Sequence, residues 1–226
     1  SSNPRLDAGD FLGELLEVCR ENGVLLLFDE VITGFRIEYG GGQEYYGLTP
    51  DLATYGKAIG GGMPVGAVAG RADIMNGFTG KDGAPFIFAG GTFSGNPLTM
   101  AAGAAAVSCM RDQRDTLYPY LQEQGARFQS AVNAFCADEG IPAQVMAAGS
   151  LFHLIFQAGE IRGERDIGND RRRAERQFYL HLLDNGVIIP GIHLAFFSGA
   201  HTPEDVDQVF EAFRASFLAL REDGAL

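Results

Sequence analysis

Gly23-Val24-Leu25-Leu26-Leu27-Phe28-Asp29-Glu30 is a glycine stop, five consecutive apolar residues and an acidic pair. The glycine ends a helical pattern in which Leu12, Leu15, Leu16 and Cys19 recur at helical spacing, with Asp10 as its predicted N-cap. A short unbroken apolar run is how a strand buried on both faces of a parallel sheet reads. Helix, tight glycine turn and buried strand together predict an α/β unit. In open sheets of this kind ligands collect at the carboxyl ends of the strands, so Asp29 stands where a ligand would. In isolation an Asp-Glu pair reads as a helix cap or a surface ion pair. The rest of the chain decides between these readings.

Working outward, Asp51–Tyr55 and Val65–Gly70 are further short strand candidates, and Asn76–Gly91 reads as a glycine-rich polar excursion. Asn96 caps a helix that carries Pro97 at its first position, where a missing N–H costs nothing. Ala101, Ala102, Gly103 and Ala104 to Ala106 line that helix with small residues, so it can pack closely on a neighbour. A long helix follows over Leu117–Glu139, with Phe128, Val132 and Phe135 as its apolar stripe and Gly140 as its stop. Leu151–Phe156 and Val187–Ile189 read as strands and Asn169–Asn185 as a helix. Thr202-Pro203-Glu204-Asp205 opens a final helix to about Leu220. Composition shifts from glycine-rich turns to dense helix and strand near residue 108, which predicts two domains, 1–108 and 109–226.

The 226 residues are 46% hydrophobic and 20% charged, enough for one large domain or two small ones. A net charge of −12 argues against nucleic-acid or anionic-membrane partners, because both need a basic surface. No apolar run approaches the roughly 20 residues of a membrane helix, and Ser1–Asp10 is too polar for a secretory leader. Cys19, Cys109 and Cys136 are odd in number and lack CxxC spacing, so neither a disulfide framework nor a zinc site is expected, and a cytoplasmic location is. Arg171–Arg173 with Arg176 reads as a solvated helix face. Fifteen arginines stand beside two lysines, Lys57 and Lys81. Arginine stays protonated, whereas lysine can lose its proton and attack a carbonyl.

Three segments carry chemistry. Leu25–Phe28 ends in Asp29-Glu30-Val31-Ile32-Thr33-Gly34-Phe35-Arg36. Next, Tyr55-Gly56-Lys57-Ala58-Ile59-Gly60-Gly61-Gly62-Met63-Pro64-Val65-Gly66 sets a lysine just past a strand, before glycines that allow close approach of a bulky group. It lacks the residue order of a P-loop, and a flexible surface loop is the plainer reading. Last, Gly90-Gly91-Thr92-Phe93-Ser94-Gly95-Asn96-Pro97 runs into a helix, where backbone N–H groups and a hydroxyl can hold phosphate or simply cap.

In this order, with Tyr46-Gly47-Leu48-Thr49-Pro50-Asp51-Leu52 between the first two and Ala200-His201-Thr202 near the end, the set resembles the class III aminotransferases. These are fold-type I pyridoxal-phosphate (PLP) enzymes, and the likeness is greatest to the glutamate-1-semialdehyde aminomutase branch. The resemblance covers almost the whole chain. It implies an α/β fold: part of a mainly parallel PLP-binding large domain, then a small α+β C-terminal domain. It implies that Lys57 forms a Schiff base with PLP and shuttles the proton, that Asp29 pairs with the ring nitrogen, and that Val31 packs on the ring. It further implies that Thr92, with the N–H groups around Gly91, reaches the phosphate held by the neighbouring subunit of a homodimer with shared active sites. The function implied is amino transfer between an amino donor and a keto or aldehyde acceptor. An aminomutase, or an inactive half serving as a dimerisation module, is the alternative.

Family members run to roughly twice this length. The resemblance therefore also implies a missing N-terminal half, or a parent multidomain protein, that completes the site. Many class III transaminases have Gln where Ile32 stands; the aminomutase-like branch has an apolar residue. An ungapped alignment sets His193 where aminomutases have Glu, so His193 is either a substrate residue or a histidine without a role. No arginine in Val187–Ser198 matches the family's carboxylate-binding one. The expected substrate is a small-molecule or carrier-bound amine or carbonyl compound.

Overall fold

Asp51, buried at the amino end of a strand, ties three backbone segments together. Its Oδ2 accepts from Leu26 N at 2.8 Å, its Oδ1 from Arg71 Nη1 at 2.7 Å, and its own N donates to Leu26 O at 2.9 Å. Those segments are the strands of a sheet whose order is β1 (Leu27–Asp29), β2 (Leu52–Gly56) and β3 (Gly66–Gly70). Strands β1 and β2 are parallel, with Leu27 opposite Leu52 and Asp29 opposite Thr54; β3 runs antiparallel to β2. The computed structural model describes residues 8–79, 87–168, 172–189 and 194–226.

The chain divides into two units, the first ending at Tyr118 and the second beginning at Pro119. The first contains α1 (Ala8–Glu21), α2 (Gly42–Tyr46), α3 (Ala72–Thr79) and α4 (Pro97–Asp112) besides the sheet. Residue 108, where the composition shifts, lies inside α4. The division falls later because Tyr118 still donates to Phe35 O at 3.3 Å.

Several sequence expectations need correction here. The first helix begins at Ala8, so Asp10 lies within it and is not its cap. The strand expected over Val24–Phe28 with both faces buried is the three-residue β1, and Val24, Leu25 and Leu27 are about half exposed at 54%, 52% and 48%. Among the described residues β1 has β2 as its only strand neighbour. Part of the expected excursion after Asn76 belongs to α3, and residues 80–86 lie outside the described ones.

In the second unit, β4 (Gln144–Ala148), β5 (Leu151–Ile155) and β6 (Ala195–Phe196) form an antiparallel sheet, accompanied by α6 (Arg172–Asp184), α7 (Pro203–Glu222) and, from Pro119 onward, α5 (Arg114–Asp138). Val187–Ile189 is not a strand: Val187 N bonds back to Leu182 O behind the left-handed Gly186, closing the helix end. The core is aromatic. Phe128, Phe178, Phe213 and Phe217 are at most 1% exposed, and Phe217 meets Phe178 at a centroid distance of 4.6 Å. Thr202 opens α7 through a reciprocal capping box with Asp205. Arg173 and Arg176 are exposed on α6, as a solvated face requires.

Two outcomes follow from this packing. Phe217→Ala removes a ring that touches Phe135, Phe156, Phe178 and Phe213, and should cost about 3–5 kcal/mol in denaturant unfolding. The hydrogen bond from Leu26 N, then Arg71, holds the Asp51 carboxyl below the usual carboxylate range. A depressed pKa contributes stability above the unfolded value that is lost as pH falls through the folded one. Asp51→Asn should therefore lower the melting temperature at pH 7, and the difference should close in acid below the ordinary carboxylate range. A gap equally wide at both pH values contradicts this assignment.

Candidate active site

Parallel pairing puts the carboxyl ends of β1 and β2 at the same edge of the sheet. Asp29 is the last residue of β1, and Lys57 directly follows β2, three residues beyond Thr54, the partner of Asp29. Asp29 Oδ1 accepts from Val31 N at 3.1 Å and from Thr54 Oγ1 at 3.2 Å. Its Oδ2 has no hydrogen bond among the described residues. The Val31 side chain lies over the end of β2, where a Cβ added at Gly56 would come within 3.3 Å of Val31 Cγ1.

Lys57 begins a short 3-10 turn over Lys57–Gly60, and its φ of 48° is left-handed. For a residue with a Cβ this conformation is costly, and such strain gathers at functional sites. The Lys57 side chain is exposed and makes no hydrogen bond or ion pair among the described residues. The turn is held from behind by α4. A Cβ at Gly103 would lie 2.9 Å from Ile59 O, and one at Gly61 would lie 2.8 Å from Ala102 O. The small residues of α4 thus have a defined neighbour, the backbone that presents Lys57.

The loop between β1 and β2 is anchored by a residue that sequence reasoning left without a role. Glu30 is 1% exposed and accepts from Gly42 N at 2.9 Å, Gln43 N at 3.0 Å and the Thr33 hydroxyl. The same loop clasps β2, since Gln43 Nε2 donates to Tyr55 Oη and Gly34 leaves room for the Tyr55 ring. Burial pushes the Tyr55 phenol pKa up. The glycines at 34 and 40–42 were the available signal, because repeated glycine marks close approach of backbone to another group. Ile32 is half-buried in this loop, and its carbonyl accepts from Arg36 Nη1 at 2.9 Å.

Gly91 and Thr92 lie elsewhere in the first unit, in an exposed turn where Ser94 N bonds Gly91 O at 2.9 Å. Asn96 Oδ1 accepts from Leu98 N and Thr99 N and caps α4. Phe88, Phe93 and Leu98 beside this turn are 90%, 81% and 64% exposed. Asp29, Val31 and Lys57 are therefore brought to one sheet edge, while Gly91 and Thr92 occupy a separate surface turn. His193 lies outside the described residues.

A lysine amine and a carboxylate thus stand at the carboxyl ends of adjacent parallel strands, backed by a small-residue helix. The profile of the family described as Aminotransferase class-III matches residues 5–215. The chain belongs to that family. It is 42% identical over 207 residues to a glutamate-1-semialdehyde 2,1-aminomutase of Thermus thermophilus, covering 90% of this chain and 47% of that one. An omega-transaminase structure from Sphaerobacter thermophilus superposes with a TM-score of 0.87 at 34% identity, over 94% of this chain and 48% of that one. A structure described as a transaminase with PLP bound gives 0.82 at 27% identity, over 96% and 49%. The chain spans about half the length of the curated relatives it matches. The fold is thus that of PLP transaminases, with a partial large-domain sheet.

The left-handed Lys57 is open to a direct check. Among variants that remove the side chain, Lys57→Gly should be more stable than Lys57→Ala by about 1 kcal/mol in chemical denaturation, because glycine adopts positive φ freely. Equal stability would mean that residue 57 is not held left-handed.

Proposed function

We propose that this chain supplies the lysine-bearing part of a PLP enzyme that moves an amino group from an amino donor to a keto or aldehyde acceptor. The observation that carries the reading is an unpartnered lysine amine and a half-open carboxylate at the ends of neighbouring parallel strands. Their chemistry fits the cofactor: an amine for its carbonyl and a carboxylate for its pyridinium nitrogen. Bound there, PLP supplies a cationic ring that stabilises negative charge at the substrate carbon.

Each residue then has a defined task. Lys57 Nζ would hold the cofactor through its carbonyl, and the free amine would take and return the proton at the substrate carbon. Asp29 Oδ2 keeps the ring nitrogen protonated, as an adjacent negative charge favours the cationic form. Val31 covers one ring face and Ile32 borders the substrate. Thr92 and the N–H groups near Gly91 bind the phosphate held by a second copy of the chain, so the active form is a homodimer with shared sites. The exposed Phe88, Phe93 and Leu98 support an interface there. The segment preceding this one in the relatives completes the pocket. No helix of the described residues is long and apolar enough to cross a membrane. We read the enzyme as cytoplasmic, a location that the unpaired Cys19, Cys109 and Cys136 support.

A second reading, transfer of the amino group within a single substrate, is favoured by the 42% identity to an aminomutase. Product formation without an added acceptor would separate the two, since only a mutase turns over alone.

Borohydride reduction of the chain mixed with PLP, followed by peptide mass mapping, tests the cofactor assignment. The expected result is a pyridoxyl group on Lys57 with Lys81 unmodified. Equal labelling of both lysines, or none on Lys57, contradicts it.

A further inference from the structure

The carboxylate of Glu30 is one of the most deeply buried in the described chain, and it lies between two residues assigned to the cofactor. Successive side chains along a strand point to opposite faces, and the side chains of Glu30 and Asp29 have no hydrogen-bond partner in common. The Glu30 carboxylate is spent wholly on the loop: Gly42 N, Gln43 N and the Thr33 hydroxyl all donate to it. Glu30 N completes the ladder to Thr54 O at 2.9 Å. Packing around the carboxylate leaves no spare volume, since a Cβ at Gly41 would come within 2.7 Å of Oε2. The loop so tied reaches the second strand through Gln43 and Gly34, both on Tyr55, and Phe35 sets its ring 5.8 Å from that of Tyr55. Tyr55 stands two residues before Lys57.

We propose that Glu30 is a positioning residue for the cofactor site, acting through the 31–43 loop to hold Asp29, at the end of one strand, and Val31, just beyond it, in fixed relation to Lys57, which follows the next strand. This rests on the cofactor reading given above. None of its three side-chain bonds goes to Asp29 or Lys57, so its action is indirect: it sets the geometry in which an amine and a carboxylate bracket one ring. Glutamine in its place keeps the shape but turns an amide NH2 group toward N–H donors. One buried donor then loses its acceptor, and the loop is driven to shift.

The test compares the unaltered chain with Glu30→Gln, using PLP and borohydride as the probe, with thermal melting recorded for both. The expected result is a folded variant whose preference for labelling Lys57 over Lys81 falls about tenfold. A purely structural role would lower the melting temperature and leave that preference unchanged, and this outcome overturns the proposal. Should Glu30→Gln not fold, Thr33→Val removes one of the three bonds, and the same preference decides. Selective labelling of Lys57 that the variants leave unchanged overturns the positioning role alone. Equal labelling of both lysines in the unaltered chain overturns the cofactor reading and this proposal with it.

Discussion

Parallel pairing of two short strands carries the candidate site. Asp29 lies opposite Thr54 in the ladder and also accepts the Thr54 hydroxyl, so main-chain register and a side-chain bond set the same alignment. Because the strands run the same way, the residue that ends one and the residue that follows the other emerge at a common edge. An antiparallel pair would send Asp29 and Lys57 to opposite ends of the sheet, and no adjustment of loops could reunite them. Asp51 sets the other end of the same pair by binding Leu26 N and Arg71. One aspartate aligns the strands where they enter, and the other sits where they leave.

What surrounds the pair is of two kinds. Behind Lys57, helix α4 approaches so closely that glycine is required on both sides of the contact, at Gly61 and Gly103. This support lets a lysine with a Cβ remain left-handed. The outer side of β1 has no such support, and Val24, Leu25 and Leu27 stay substantially in contact with solvent there. The second unit differs, because its phenylalanine cluster is closed on itself and leaves its largest rings almost wholly buried.

The parts of this arrangement that local chemistry dictates were readable from the sequence. Asn96-Pro97 and Thr202-Pro203 open helices because a side-chain acceptor meets free N–H groups over a few residues. Lys57 and Asp29 stood out because a lysine past a strand and an acid at a strand end belong to an ordered set of motifs, and both do lie at strand ends. Other features depend on contacts distant in sequence. The apolar run at 24–28 promised burial on both faces, yet burial is decided by the neighbours a strand has, and among the described residues β1 has one strand beside it. Glu30 looked like half of an acidic pair; its role became visible only when Gly42 and Gln43 folded back onto it. Strand β4 was missed because Gln144–Ala148 has a single β-branched residue, Val145, and ends in two alanines, and only its ladder with β5 makes it a strand. Val187–Ile189 failed for the converse reason: β-branched residues there have no ladder partner among the described residues.

The central proposal is geometric: Lys57 and Asp29, at the edge of two parallel strands, would bracket one cofactor ring. A crystal structure of the protein grown with PLP would test it most directly. The account requires density continuous with Lys57 Nζ and a ring nitrogen within hydrogen-bond distance of Asp29 Oδ2, with Val31 against the ring. A ring bound away from Asp29, or the cofactor phosphate at Lys57 in place of its carbonyl end, would contradict it.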